Sequence, residues 1–94
     1  MRRPRATFRL MASYYEQLAS LRAALADVGA PELAEELRQA ERGGTTSSEI
    51  LNDTGVILHR LMESGEADRL GLRGEIARLD DLGRELFDST NRKF

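Results

Sequence analysis

Few residues in this chain are of a type that carries chemistry. There is one histidine, His59, and no cysteine, a run of hydroxyls at Thr45-Thr46-Ser47-Ser48, and a set of acids at Asp80, Asp81, Glu85 and Asp88. A structural zinc site takes four ligands from Cys, His and carboxylate, so a lone histidine without thiols is a poor beginning for one. By helical spacing His59 falls more than a right angle from the apolar stripe of its own segment, which turns it toward solvent as a titrating surface group. The hydroxyls need a base within hydrogen-bond reach to act as nucleophiles, and no neighbouring residue supplies one. Gly43-Gly44 ahead of them would let a helix start cradle an anion. The lysine and spacing of a phosphate-binding loop are missing, however, and Glu49 already places negative charge there. The acids, successively one, four and three residues apart, read as the solvated face of a helix. No catalytic, cofactor-binding or metal-ligating residue is assigned.

Charge is distributed unevenly. Arg2, Arg3, Arg5 and Arg9 lie within the first eleven residues with no acid beside them, so a whole-chain charge of −2 leaves −6 on the rest. All but one of the 14 basic residues are arginine, a skew that suits a GC-rich genome as well as it suits phosphate binding. A basic arm, together with Arg60, is what a nucleic-acid-binding regulator of helix-turn-helix type would use, with residues 31–42 and the helix after Gly43-Gly44 as the pair. The exposed side of that second helix offers Asn52, His59 and Arg60 but also Asp53 and Glu63. An acidic body is the wrong sign for phosphate contacts.

The elements that would position these groups follow from periodicity. Thr46, with Glu49 three residues on, is a capping box. After it Ile50, Leu51, Thr54, Ile57, Leu58, Leu61 and Met62 form one broad stripe at about 100° per residue, the buried face of a central helix over 46–64. Met11, Tyr14, Leu18, Leu21, Leu25 and Val28 are spaced alternately three and four apart, a heptad seam too short for a free coiled coil and suited to a bundle helix over 12–28. Gly29 past one end and Pro31 inside the next mark a helix boundary. Glu32, Glu35 and Glu36 then open a shorter helix, 31–42, which Arg38, Arg42 and Gly43-Gly44 close. Residues 66–74, with Gly71 and Gly74, read as a turn or short helical piece. Leu72, Ile76, Leu79, Leu82, Leu86 and Phe87 make the seam of a last helix over 72–88, in which Gly83 leaves a notch for a backbone or for the Tyr14 ring.

The chain is therefore expected to be all-α: a small antiparallel bundle of three long helices plus one short helix, as a single domain over 12–88. Residues 1–11 are read as a basic arm and 89–94 as a frayed polar tail. Phe8 and Leu10 are the arm residues that could pin it to the body. No apolar run approaches the roughly 18–20 residues that a membrane helix takes, which argues against a membrane partner and for a small cytoplasmic protein of bacterial type. With catalysis and cofactors set aside, the expected role is a protein–protein interaction or oligomerisation module, pairing with itself as a homodimer or with one other protein. Small enzyme and metal-binding roles rank below the nucleic-acid alternative. The expected contact residues are Tyr15, Val56, Leu70 and Phe87. Val56 projects nearly opposite its helix's stripe, and Leu70 and Phe87 lack an evident intramolecular partner.

Overall fold

The computed structural model describes residues 3–91 and places side chains from Arg9 to Ser89. Its helices are α1 (Arg3–Asp27), α2 (Pro31–Gly43), α3 (Ser47–Glu63), α4 (Glu66–Arg69) and α5 (Arg73–Asn91), with no strand among the described residues. α1, α3 and α5 form a small antiparallel bundle. The shorter α2 packs on α1 and α3 and makes no contact with α5, while α4 is a single turn between α3 and α5.

The seam of α1 is buried at Met11, Tyr14, Leu18, Leu21 and Leu25, but Val28 is 45% exposed. The reason lies in how the helix stops. Gly29 takes φ 86°, its N–H donates to the Ala26 carbonyl at 3.2 Å, and the Ala30 N–H donates to the Leu25 carbonyl at 2.8 Å. That pair of bonds is a Schellman motif, in which the residue after the left-handed glycine, and not the last helical one, folds back on the apolar face. Ala30 is accordingly buried in the place that the heptad spacing gives to Val28. The same motif ends α4. Gly71 has φ 74° and donates to Asp68, Leu72 donates to Ala67 at 2.9 Å, and both Ala67 and Leu72 are buried.

α1 begins at Arg3, well before Ala12, and so residues 3–11 continue its backbone. Pro4 sits in the first turn, where its missing N–H costs nothing. At the other end α5 runs through Ser89 and Thr90 to Asn91, past the expected limit of 88.

α3 starts at the expected cap. The Thr46 hydroxyl oxygen accepts from the Glu49 N–H at 3.2 Å. The reciprocal bond is displaced by one residue, because the Glu49 carboxylate accepts mainly from the Thr45 N–H at 2.9 Å and the Thr45 hydroxyl at 3.0 Å. Those two bonds, with a lesser one from the Thr46 N–H, hold the carboxyl below the usual range. Leu51, Thr54, Ile57, Leu58 and Leu61 are buried along α3, and each fully buried leucine contributes roughly 1.5–3 kcal/mol. At the centre the Tyr14 hydroxyl meets Thr54 Oγ1 at 2.6 Å. The ring lies against Gly83, where an added Cβ would come within 3.0 Å of Tyr14 Cε1. The notch expected at Gly83 is occupied by that ring, and one tyrosine thereby ties α1, α3 and α5 together.

α2 is held by Leu37, which is fully buried, and by two polar contacts. Arg60 of α3 reaches Glu36 at 2.9 Å. Arg22 of α1 approaches Glu41 at 3.7 Å, too far for a hydrogen bond, and Arg22 Nε and Glu41 Oε1 are buried without a hydrogen-bond partner.

Candidate functional site

An open groove of about 580 Å³ lies between α3 and α5. Its apolar part is Leu51, Gly55 and Val56 from α3 with Gly83 and Phe87 from α5, and its rim is Asn52, His59, Arg60, Glu63, Asp80, Arg84 and Asp88. Local sequence explains its shape. Gly55 has no side chain, so α3 leaves a hollow there, whereas the notch at Gly83 is filled by the Tyr14 ring. A Cβ at Gly55 would meet nothing within 4 Å. Val56, one residue on, is turned outward and is 57% exposed.

The rim charges are largely consumed by one another. Arg84 Nη2 lies 3.1 Å from Asp80 Oδ2, His59 Nε2 is 3.3 Å from Glu63, and Arg60 is taken by Glu36. A longer contact of 3.5 Å joins Arg84 Nη2 to His59 Nδ1. With Nδ1 accepting from Arg84, the neutral imidazole carries its proton on Nε2 and donates it to Glu63. Asp80 belongs to this network and is only 8% exposed, which corrects its assignment to a solvated acidic face. The helical turn between Asp80 and Arg84 directs the carboxylate across the groove wall, where an arginine neutralises it.

As chemistry, the groove offers an exposed imidazole–carboxylate pair and ion pairs, but no hydroxyl or thiol among its lining residues. The buried Tyr14 phenol behind Gly83 is pushed up to about 12, chiefly by burial and against the lowering bond to Thr54, so it keeps its proton. No group of three or more His, Asp or Glu side chains among the described residues could hold a metal ion. No helix among them is long and apolar enough to cross a membrane.

The four expected contact residues separate. Val56 and Phe87 line the groove together. Tyr15 does not; it stands edge-on to Tyr14 with ring centroids 6.3 Å apart. Leu70 is also elsewhere, at the end of α4. Both Leu70 and Phe87 pack against the core cluster, which overturns the expectation that they lack intramolecular partners. Leu70 is the residue ahead of the left-handed Gly71 and is half-buried against the bundle. Of the expected basic set, Arg60 is engaged by Glu36 and Arg9 is exposed on α1. Arg2 lies outside the described residues, as do the side chains of Arg3, Arg5 and Phe8. Leu10 is 44% exposed. Gly55 is legible in sequence as part of the uncharged strip beside Val56, whereas Asp80 was not singled out for this surface.

The fold and the groove define a class, a small all-α bundle with an open two-helix groove. Beyond that class, no protein family, no curated protein and no solved structure matches the chain.

Proposed function

We propose that this chain is a non-catalytic protein-interaction module, and that its docking face is the α3–α5 groove around Val56. The observation that carries the proposal is Val56 itself. It is an aliphatic side chain 57% exposed at the middle of the most central helix, beside a hollow lined by Gly55, Gly83 and Phe87. Apolar surface grouped in a concavity and edged by polar side chains is what helix-in-groove recognition uses. The internally paired rim leaves little net charge to attract a polyanion, and a protein surface suits it better. A cytoplasmic setting is part of the proposal, supported by a cysteine-free composition.

Sedimentation of the wild-type protein and of Val56→Glu, each purified and each added to host lysate, tests it. The expected result is an assembly heavier than the 10.5 kDa monomer that the substitution abolishes. A monomer in buffer and lysate alike would reject the proposal.

A further inference from the structure

We infer that the occupant of this face is a second copy of the chain, with the two α3 helices crossing antiparallel at Val56 so that Asp53 of each copy meets Arg60 of the other. The inference rests on the function proposed above and names its partner.

Asn52, Asp53, Val56, His59 and Arg60 are all exposed on α3. At about 100° per residue, Asn52 and His59 fall on one flank of Val56, the side of α5, while Asp53 and Arg60 fall on the other. A two-fold axis beside Val56 pairs residues on the same flank at opposite heights. It therefore sets Asp53, three residues before the crossing, against Arg60, four residues after it. On the α5 flank it sets the Asn52 amide against the His59 imidazole. Both contacts occur twice, and both join unlike groups. A parallel arrangement, whose axis pairs opposite flanks at equal heights, would bring Asp53 to Asn52 and Arg60 to His59 and would form neither ion pair. The antiparallel crossing is thus the orientation that sets opposite charges together.

Asp53 and Arg60 have the capacity to make their ion pair, whereas both nitrogens of the His59 ring are already engaged by Arg84 and Glu63 and the Asn52 contact is one of packing. Asp53 has no ion pair among the described residues, and its carboxylate receives a long contact of 3.4 Å from Asn52. Arg60 spends only Nη2 on Glu36, which leaves donors on Nε and Nη1 for a second carboxylate. Shape agrees with charge. Val56 is a protruding side chain, and Gly55 beside it is a recess open to solvent, so each copy presents a knob and a hole in adjacent positions. The like charges on this face are Glu49 and Glu63, seven residues either side of Val56 and so about 10 Å along the axis. Helices crossing at roughly 50° have diverged there. Glu49 is also turned back to Thr45, and Glu63 faces His59.

The test exploits the reciprocity of the pairs. Asp53→Arg and Arg60→Asp are made separately and checked for helicity by circular dichroism. Each is then sedimented alone and as an equimolar mixture, over roughly 1–100 µM, where a modest interface of this kind dissociates. Wild type is expected to be a dimer in this range. Each variant alone opposes like charges twice and is expected to associate about ten- to a hundredfold more weakly. The mixture restores both ion pairs in a heterodimer and is expected to recover the wild-type mass. A wild-type protein that stays monomeric throughout overturns the inference, as do single variants that dimerise like the parent, or folded variants whose mixture remains monomeric. Assembly in lysate that Val56→Glu abolishes, with a monomer in buffer, would leave the interaction module standing and remove self-pairing alone.

Discussion

Replacing Thr54 by valine is the sharpest probe of the centre of the bundle. Thr54 has one hydroxyl proton, and the Ile50 carbonyl, which can only accept, lies 2.7 Å from Oγ1. The proton goes there, so in the 2.6 Å contact the Tyr14 hydroxyl is the donor. Valine keeps the shape and removes the acceptor. The Tyr14 O–H, on a residue with no exposed surface, is then left without a partner, which costs about 1–3 kcal/mol. Tyr14→Phe removes the donor instead. Thr54 keeps its bond to Ile50, and the loss is that of one ordinary buried hydrogen bond, about 0.5–1.5 kcal/mol. With both changes made, no polar group is stranded and the site is apolar throughout, so the double variant is expected to lose less than the two singles together by about 1–3 kcal/mol. Urea denaturation of the four proteins at neutral pH, with slopes compared to confirm unchanged exposure on unfolding, measures the coupling. Additive losses, or a Thr54→Val protein as stable as wild type, would show that the tyrosine finds another acceptor.

At alkaline pH the same tyrosine sets a limit. Its folded pKa of about 12 lies above the ordinary 10.0, so between these values the unfolded chain has released a proton that the folded protein keeps. Stability is therefore expected to fall across pH 10–12 by about 3 kcal/mol, and Tyr14→Phe to flatten that loss in melts taken over the window. At the start of α3, Thr46→Ala is expected to cost about 0.5–2 kcal/mol; an unchanged melting temperature would place the helix start elsewhere. Because Thr45 holds the Glu49 carboxyl below the usual range, its contribution is present above the unfolded carboxylate pKa and is lost as pH falls through the folded one. Glu49→Gln is expected to be less stable at neutral pH and to lose less on acidification, and parallel acid curves would refute this. Deleting residues 1–10 removes helix backbone and the exposed Arg9 and Leu10, and the denaturation midpoint is expected to stay within experimental scatter. A collapse of cooperativity would assign core contacts to the segment.

Periodicity and end chemistry were enough to read most of the bundle. The α1 seam, the α3 stripe and the Thr46 cap depend on local spacing, and local spacing is what a sequence displays. Gly83 was readable as a notch because it interrupts an otherwise continuous seam one residue from its axis. Val28 was misplaced because a heptad count carries on through a helix end, whereas the left-handed Gly29 hands the core position to Ala30. Residues 3–11 contain Pro4 and still continue α1, because a proline in a first turn breaks nothing. Leu70 and Phe87 gained partners through the packing of α4 and α5 on the rest of the bundle, which is a tertiary fact. Asp80 is the instructive miss: its four-residue spacing from Arg84 suits the ion pair that forms, but as one of four acids on α5 it looks solvated, and only tertiary packing shows it to be buried. The groove as a whole, built from two helices some thirty residues apart in sequence, had no local signature beyond Val56.

The incomplete pairing of Arg22 with Glu41 has a dynamic corollary. α2 is the shortest of the four helices that pack the bundle, and buried polar atoms with no partner weaken the seam that holds it on α1. A short element with unsatisfied contacts opens by itself at lower free energy than the whole fold. Amide exchange in α2 is thus expected to outpace exchange in α1, α3 and α5. Each such opening would also release Arg60 from Glu36, so the rim beside Val56 would gain a fully available cation whenever α2 lifts, and fluctuation at one edge of the bundle would be felt as a change of charge at the other.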